Sequence, residues 1–244
     1  MKKLFVVFVF LLLSKNLLAL NPYYPSADTL EIKILNYNNS TADSSIFISI
    51  DYPQITGSKN SSIEQKVNNF LEEEFKQSIA WYDEIQSDSS NYEDMNYDMQ
   101  YSFETGFQLE YNSEKFVSIV LNHYQFTGGA HGNYFALGYN IRMSDGKNLT
   151  LKDIIKSDSF DILMDECEQA ILEAYQASTL MEAGLFEDEI VIEDDQDFYI
   201  TPTALVLQFD PYEIGPYAMG EIIAEIPFEK IKDILKDNLP FLTN

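Results

Sequence analysis

The sequence is poor in basic residues. Its 244 residues include 15 Lys and Arg against 40 Asp and Glu, and Arg142 is the single arginine. A nucleic-acid-binding protein needs clustered Lys and Arg to displace the counterions of the phosphate backbone. The formal net charge of −25 therefore excludes nucleic acid as a partner. The charge permits a cationic partner, because complementary electrostatic fields speed encounter. It is equally compatible with a purely solubilising role.

Cysteine and histidine are almost absent. Cys167 is the single cysteine, so the chain has no disulfide framework, and its place on the apolar side of a predicted helix predicts a buried, unreactive thiol. A zinc site takes three or four His, Cys or carboxylate ligands, whereas the chain offers only His123 and His131 as histidines. No G-x-S-x-G motif occurs either. We therefore expect no metal and no cofactor, and we assign no catalytic residue.

The sequence has one continuous apolar run as long as ten residues, at the N-terminus. Lys2 and Lys3 precede it, and it covers residues 4–13, whereas a membrane-spanning helix needs about 20 residues. A charged start, a short apolar run and the small residue Ala19 predict a secretory signal peptide over residues 1–19. We expect an exported protein, periplasmic or extracellular, with no membrane span once the signal is removed. That removal makes the net charge more negative still, because the segment contains three lysines and no acid.

Hydrophobic periodicity predicts an α+β fold. Strict alternation is typical of strands, and apolar residues three or four apart are typical of helices. Because neighbouring predicted strands form hairpin-like pairs, we expect a mainly antiparallel sheet with two longer helices and a short C-terminal helix, and two halves fused into one unit. The predicted strands are residues 30–35, 45–52, 99–111, 115–124, 134–143, 198–201, 204–209 and 219–226.

The boundaries of these elements have sequence signals of their own. Ser61 or Ser62 is predicted to cap the first helix, whose apolar face consists of Ile63, Val67, Phe70, Leu71, Phe75 and Ile79. Ser157 or Asp158 is predicted to cap the second helix. Pro53 is predicted to end the second strand. Residues 83–98 are acidic and polar but lack the spacing of a calcium loop, which predicts a solvated loop. Alternation places His123 on the core face of its strand.

A glycine-rich segment follows the fourth predicted strand. Gly128, Gly129 and Gly132 lie within five residues, a density that requires unusual backbone angles or the close approach of another chain or a ligand. His131 lies among them. A histidine in this position can be a structural hydrogen-bonding group, a contact to a ligand, or a catalytic base or metal ligand. We take Gly128, Gly129 and His131 as candidate ligand-binding residues.

A second unusual segment covers residues 209–220. It contains two Pro, two Gly and two Tyr, which predicts a rigid connection between strands with an aromatic surface. A well-packed loop explains this composition. Rigid loops rich in tyrosine also make good contact surfaces. Tyr212 and Tyr217 are therefore the other candidate ligand-binding residues.

Four blocks of sequence, in this order, resemble a bacterial extracytoplasmic module of unknown function. That module is the paired domain of the RsiV-type lysozyme-sensing anti-sigma factors, and it also precedes the catalytic domain of the PdaC-type peptidoglycan deacetylases. The resemblance covers residues 28–238. The blocks are Ile-Asp-Tyr-Pro-Gln-Ile-Thr-Gly (50–57, followed by a helix with Asn68), Tyr-x-Phe-Thr-Gly-Gly-Ala-His-Gly (124–132), Ser-Asp-Gly-Lys-x-Leu-Thr-Leu-x-Asp-Ile (144–154) and Phe-Asp-Pro-Tyr-Glu-Ile-Gly-Pro-Tyr-Ala-Met-Gly (209–220).

The resemblance implies an α+β fold, a location outside the cytoplasm and, for the anti-sigma relatives, binding of a secreted wall-degrading enzyme. The sequence has no segment similar to the sigma-binding part or to the deacetylase domain, so we expect a stand-alone exported version. The expected organisation is a signal peptide (1–19), a linker (20–27), an N-terminal PdaC-associated half (28–125), a C-terminal RsiV-type half (126–238) and a tail (239–244).

Three hypotheses for function follow. The first is a non-enzymatic binding or sensor domain at the cell envelope, whose ligand is a basic secreted protein such as a lysozyme, or peptidoglycan. The second is an envelope hydrolase or deacetylase-like enzyme that uses His131 with a nearby carboxylate, Asp145 or Glu213. The third is a structural periplasmic protein. The position of His131 relative to these two acids discriminates the enzyme from the others.

Overall fold

The computed structural model describes residues 29–40, 46–87 and 101–242. The predicted signal peptide, the linker and residues 88–98 of the acidic stretch lie outside this range. The predicted α+β class is confirmed, with one six-stranded and one three-stranded sheet in the described part of the chain. None of its helices is both long enough and apolar enough to cross a membrane.

The larger sheet has the strand order β1-β2-β3-β4-β5-β6 and is antiparallel except between β2 and β3. That pair is parallel because a long helix, α1 (Ser61–Ser87), connects its two strands. The predicted boundary at residues 125 and 126 falls at the C-terminal end of β4, which pairs with β5 in this sheet. The strands are β1 (Glu31–Ser40), β2 (Ile46–Thr56), β3 (Tyr101–Asn112), β4 (Phe116–Phe126), β5 (Asn133–Arg142) and β6 (Lys147–Asn148).

The smaller sheet is antiparallel, with the order β7-β8-β9, and packs with the remaining helices. Two four-residue helices, α2 and α4, have no counterpart among the predicted elements. The predicted strand over residues 219–226 begins only at residue 222, because Tyr217–Met219 form a 3₁₀ turn. The elements are α2 (Leu151–Ile154), α3 (Phe160–Tyr175), α4 (Leu180–Ala183), β7 (Phe198–Ile200), β8 (Ala204–Phe209), β9 (Ile222–Pro227) and α5 (Phe228–Ile231).

Helix α1 covers one face of the larger sheet. Val67 and Leu71 are each 1% exposed and share a core with Ile119 and Ile141 of the sheet. Burial on this scale contributes about 1.5–3 kcal/mol for each such side chain. All six predicted apolar positions of α1 lie in the cores between helix and sheet. The predicted cap is wrong: Asn60 Oδ1 accepts from the N–H groups of Ser62 and Ile63.

Strand β2 does not end at Pro53, as predicted, but continues to Thr56. Proline lacks an N–H, yet β3 pairs with β2 only over Ile46–Ile50, so Pro53 lies where β2 has no neighbour on that side. Beyond Pro53, the side chain of Asn68 in α1 forms the hydrogen bonds that a neighbouring strand would otherwise form. Its amide donates to Ile55 O at 2.7 Å and accepts from Ile55 N at 2.8 Å.

The second face of the larger sheet packs against β7. Gly138 of β5 lies so close to this strand that an added Cβ would be 2.0 Å from Phe198 O. A buried polar network joins the two sheets. Asn140 Nδ2 donates to Phe198 O and Ser118 Oγ donates to Asn140 Oδ1, both at 2.7 Å. Ile200 N donates to Ser118 Oγ at 2.9 Å, so this contact is specified by hydrogen bonds as well as by shape.

Helix α3 closes the core of the second half. It begins after Ser159, not at the predicted caps Ser157 or Asp158. Cys167 is fully buried on its inner face, as predicted, and burial raises the pKa of its thiol to about 12. The thiolate form is therefore suppressed, which makes the thiol inert.

Candidate functional site

The two unusual loops of the sequence meet in space. The imidazole of His131, in the β4–β5 loop, stacks on the ring of Tyr217 in the β8–β9 connection, with 3.8 Å between centroids and 21° between planes. The Tyr217 hydroxyl donates to Gly132 O at 2.7 Å. This hydrogen bond links residues 85 positions apart, so it fixes the two loops to each other.

Two further tyrosines complete an aromatic cluster, which consists of His131, Tyr134, Tyr212 and Tyr217. Tyr134 meets Tyr217 edge to face at 5.8 Å, and Tyr212 lies at 5.7 Å from Tyr217. His131 is exposed, and Tyr212 is 58% exposed. Aromatic pairs of this geometry are worth about 0.5–1.5 kcal/mol each beyond the area they bury. The cluster is therefore both ordered and open to solvent.

Backbone geometry explains the glycines of the first loop. Gly128 and Gly129 have φ of +92° and +96°, a region that L-residues other than glycine rarely adopt. Gly132 is needed for close approach instead, because an added Cβ would lie 2.5 Å from the ring of Tyr124. Gly128 lies beside Tyr101 and Gly129 faces open space. Of the predicted site residues, the structure thus brings His131, Tyr212 and Tyr217 together and leaves Gly128 and Gly129 to shape the turn.

Tyr212 has a backbone conformation that costs energy. Its φ is +74°, in the left-handed region. A tyrosine held there stores of order 1 kcal/mol of strain, which surrounding structure must offset. Hydrogen bonds on both sides hold the turn: Tyr212 N donates to Gly215 O and Glu213 N donates to Asp210 O, each at 3.0 Å. The ring is thereby presented outward.

The His131 side chain contacts the backbone, and the two predicted acid partners bond to other groups. Its Nδ1 lies 3.0 Å from Gly132 O; a carbonyl only accepts, so Nδ1 carries a proton. Asp145, one predicted acid partner, pairs with Arg142 at the far end of β5, about 30 Å along the strand. Glu213, the other, accepts from Gln196 Nε2 at 3.0 Å and Asp210 N at 2.8 Å. Both carboxylates are therefore engaged elsewhere.

Two carboxylates, Asp210 of the second loop and Asp197 just before β7, bind the free edge of β5. Ala136 N donates to Asp210 Oδ1 at 3.1 Å and Gly138 N donates to Asp197 Oδ1 at 2.9 Å. Further along, Asn140 N donates to Asn148 Oδ1 at 2.7 Å. Alternate N–H groups of an edge strand that lacks a neighbouring strand are thus satisfied by side chains. Asp210 begins the loop that carries Tyr212 and Tyr217, so it also positions the aromatic cluster.

These carboxylates are partly withdrawn from water. Burial, followed by the charges of Asp197 and Glu213, raises the pKa of Asp210 to about 6. Burial raises the pKa of Asp197 and of Glu221 in the same way, and the charge of Asp210 adds to the rise at Glu221. Since the pKa of Asp210 is higher in the fold than in the unfolded chain, its contribution to stability is full below about pH 4. It is lost as the pH rises through about 6.

Asp210→Asn is expected to make the free energy of unfolding less sensitive to pH. Asparagine keeps an oxygen for Ala136 N but carries no charge, so the variant should gain stability relative to wild type between pH 4.5 and 7.5. Asp210→Ala, which leaves Ala136 N unpaired, should lose about 1–3 kcal/mol at either pH. Urea unfolding at both pH values measures this. The exposed Asp188→Asn is the control; an equal pH response in the two Asn variants would contradict the assignment.

Sequence reasoning did not identify some residues of the site. Tyr134 and Tyr124 flank the glycine-rich loop, and this proximity in sequence is the feature that could have pointed to them. Asp210 belongs to the second segment, but nothing local shows that its side chain reaches β5. No group of three or more His, Cys, Asp or Glu side chains in the described residues has the arrangement needed to hold a metal ion.

Comparison with known families confirms the resemblance. Residues 40–134 match the family described as "Deacetylase PdaC", and residues 152–229 match the "Protein of unknown function (DUF3298)" family. Together these matches cover more than two thirds of the chain. The protein is therefore of the PdaC/DUF3298 type, with a PdaC-associated domain followed by a DUF3298 domain whose function is unknown.

A curated relative is the peptidoglycan-N-acetylmuramic acid deacetylase PdaC of Bacillus subtilis (strain 168). It is 24% identical over 195 residues, which make up 77% of this chain and 38% of the relative. The chain thus spans well under half of that protein's length.

Two solved structures share the fold. A DUF3298 family member from Bacteroides fragilis NCTC 9343 has a TM-score of 0.68 and 18% identity, over 86% of this chain and 95% of that one. A DUF3298 family protein from Pseudomonas aeruginosa PAO1 has a TM-score of 0.62 and 20% identity, over 86% and 96%. At these identities the likeness shows the fold.

Proposed function

We propose that this protein is an exported, non-enzymatic binding domain of the bacterial cell envelope whose ligand is a cationic wall-degrading protein. The observation that carries the proposal is the aromatic cluster. Two loops, remote in sequence, are fixed to each other by the Tyr217–Gly132 hydrogen bond and present His131 and Tyr212 to solvent. Tyrosines on a preorganised surface make binding contacts at low entropic cost, because few torsions remain to be frozen.

The charge of the chain selects the kind of partner. A net charge of −25 steers cations toward the surface and repels anions. Near the cluster, Asp210, Glu213 and Glu221 concentrate acidic groups whose charge attracts the Lys and Arg side chains of a basic protein. Electrostatic complementarity mainly raises the association rate, so the interaction should weaken steeply with salt.

The proposals of export and of a location at the cell envelope are supported by other observations. The N-terminal segment has the composition of a signal peptide. The curated relative is by name a peptidoglycan deacetylase, which supports a role at the cell wall for this chain. Neither predicted acid partner reaches His131, which supports a binding role over a hydrolytic one.

Titration calorimetry with hen lysozyme as the probe tests the proposal. At low salt we expect saturable binding, and raising the ionic strength should weaken it strongly. Tyr217→Ala should reduce the affinity at least tenfold, because it removes the ring at the centre of the cluster and the hydrogen bond between the loops; central interface tyrosines typically cost about 2 kcal/mol or more. Tyr175→Ala, an exposed tyrosine on α3, is the matched control.

Each alternative has its own outcome in the same experiment. Binding of soluble peptidoglycan fragments but not of lysozyme would replace the protein ligand with a wall ligand. If the protein bound neither lysozyme nor peptidoglycan fragments, the proposal would be contradicted. Equal losses in Tyr217→Ala and Tyr175→Ala would show that the aromatic cluster is not the contact surface.

A further inference from the structure

A concave site lies on the opposite face of β4 and β5 from the aromatic cluster. It is a cavity of about 220 Å³ between the larger sheet and the second half of α1. Alternate residues of a strand point to opposite faces, so His123 and Gln125 face this cavity while Tyr134 faces the cluster. The apolar part of its lining consists of Ile48, Ile50, Phe103, Phe135 and Leu137.

Two buried polar atoms in the lining lack a hydrogen-bond partner among the described residues: His123 Nε2 and Gln125 Oε1. Leaving such an atom unpaired costs about 1–3 kcal/mol, and a native fold rarely accepts this twice in one cavity without a reason. The His123 ring is held in place, because its Nδ1 lies 3.0 Å from Thr105 Oγ1 and it stacks on Phe135 at 4.7 Å. The position of His123 Nε2 is therefore fixed before any ligand binds.

The polar groups of the lining are mainly hydrogen-bond acceptors. Gln125 Oε1 only accepts, and Glu74 of α1 adds a carboxylate. Burial lowers the pKa of His123 to about 4, so the ring is neutral at pH 7. When Nδ1–H donates to Thr105 Oγ1, Nε2 is an acceptor too. No Lys or Arg is among the residues that form the cavity, so an anion would find no counter-charge there.

We propose that this cavity binds a small organic ammonium ion, a primary amine with an apolar arm. An ammonium group carries three donors and no acceptor, which matches Gln125 Oε1, His123 Nε2 and the carboxylate of Glu74 on α1. The apolar arm would lie against Ile50 and Phe103. The negative charge of the whole chain raises the local concentration of such a cation. This site is separate from the proposed protein-binding surface and goes beyond that function.

Three probes with the same ring test the charge requirement: benzylamine, benzyl alcohol and benzoate. The readout is the side-chain ¹⁵N resonance of His123, which distinguishes a protonated from an unprotonated ring nitrogen. We expect an unprotonated Nε2 in the free protein and a saturable shift with benzylamine. The shift should need at least tenfold more benzyl alcohol and should be absent with benzoate, because a hydrogen bond to a charged group contributes about 1.5–3 kcal/mol.

Two variants locate the site. Gln125→Leu replaces an unpaired oxygen with an apolar group, so the fold should be retained while benzylamine affinity falls at least tenfold. The matched control is Gln108→Leu on the exposed part of β3, which should bind as wild type does. Amide spectra verify that each variant is folded.

The negative outcomes are equally defined. A folded wild type with no saturable His123 shift would show that the cavity holds only water and would overturn the proposal. So would a benzoate shift equal to that of benzylamine, a protonated Nε2 in the free protein, or unchanged binding in Gln125→Leu. Tyr217→Ala should leave benzylamine binding intact, so this test and that of the protein-binding function fail independently.

Discussion

Gly138→Ala is expected to cost at least about 3 kcal/mol in the free energy of unfolding. The added Cβ would lie 2.0 Å from Phe198 O and 2.9 Å from Phe198 C. A backbone carbonyl cannot rotate away as a flexible side chain can, so β5 and β7 would have to separate. That separation would also break the bond from Gly138 N to Asp197. Urea unfolding followed by circular dichroism measures the loss.

Gly106→Ala is the matched control for this prediction. Gly106 lies in β3 of the same sheet, and nothing lies within 4 Å of an added Cβ. Its replacement should leave stability unchanged or raise it by up to about 1 kcal/mol, since alanine restricts the unfolded chain. If both alanines had the same small effect, the close contact between the two sheets would be wrong.

Asn140→Ala is the second change expected to have a large effect. Asn140 and Ser118 are fully buried between the sheets, and the asparagine amide bonds Phe198 O and Ser118 Oγ. Its removal leaves Phe198 O without this donor and the Ser118 hydroxyl without its acceptor in a dry interior, and it opens a space. We expect a loss of about 2–4 kcal/mol, because each unsatisfied buried group costs about 1–3 kcal/mol. Thermal and urea unfolding both measure it.

A double-mutant cycle with Ser118→Ala sharpens this prediction. Because the two side chains share one network, the double variant should lose clearly less than the sum of the single variants. Asn133→Ala, an exposed residue at the start of β5, should change stability by no more than about 0.5 kcal/mol. Additive losses, or equal losses at Asn133 and Asn140, would contradict a network that joins the sheets.

The elements of this fold were predictable where a local pattern specifies a buried face. The apolar spacing of α1 and the alternation of β4 require one side to leave water, and the structure buries those sides. The caps of α1 and α3 were placed one or more residues away from those observed, since Ser, Asn and Asp near a helix start are interchangeable by propensity. Pro53 was misread because its tolerance depends on where β3 stops pairing with β2.

The pairing of distant segments was not predictable from local sequence. Nothing near Asn68 shows that its amide replaces a strand next to Ile55, and nothing near Gly138 shows that Phe198 crosses it. Such contacts depend on how the two sheets pack, which no period or propensity specifies.

The two loops of the candidate site were predictable from the sequence, but their contact with each other was not. Unusual composition pointed to the loops that contain His131 and Tyr217, because dense Gly and Pro have a conformational cost that a sequence rarely carries without use. Their stacking depends on the anchoring of Asp210 to β5, a contact 74 residues apart. The cavity beside His123 was outside the prediction altogether, because alternation indicates a buried face but not a space within it.

The measurement that tests the central claim most directly is chemical-shift mapping of backbone amides during titration with hen lysozyme. If the aromatic cluster is the binding surface for a cationic wall-degrading protein, the largest changes will fall in residues 128–134 and 211–220. Both loops should respond in one saturable transition, because the Tyr217–Gly132 hydrogen bond joins them. Changes confined to other parts of the chain, or none at concentrations that saturate a micromolar complex, would contradict the account.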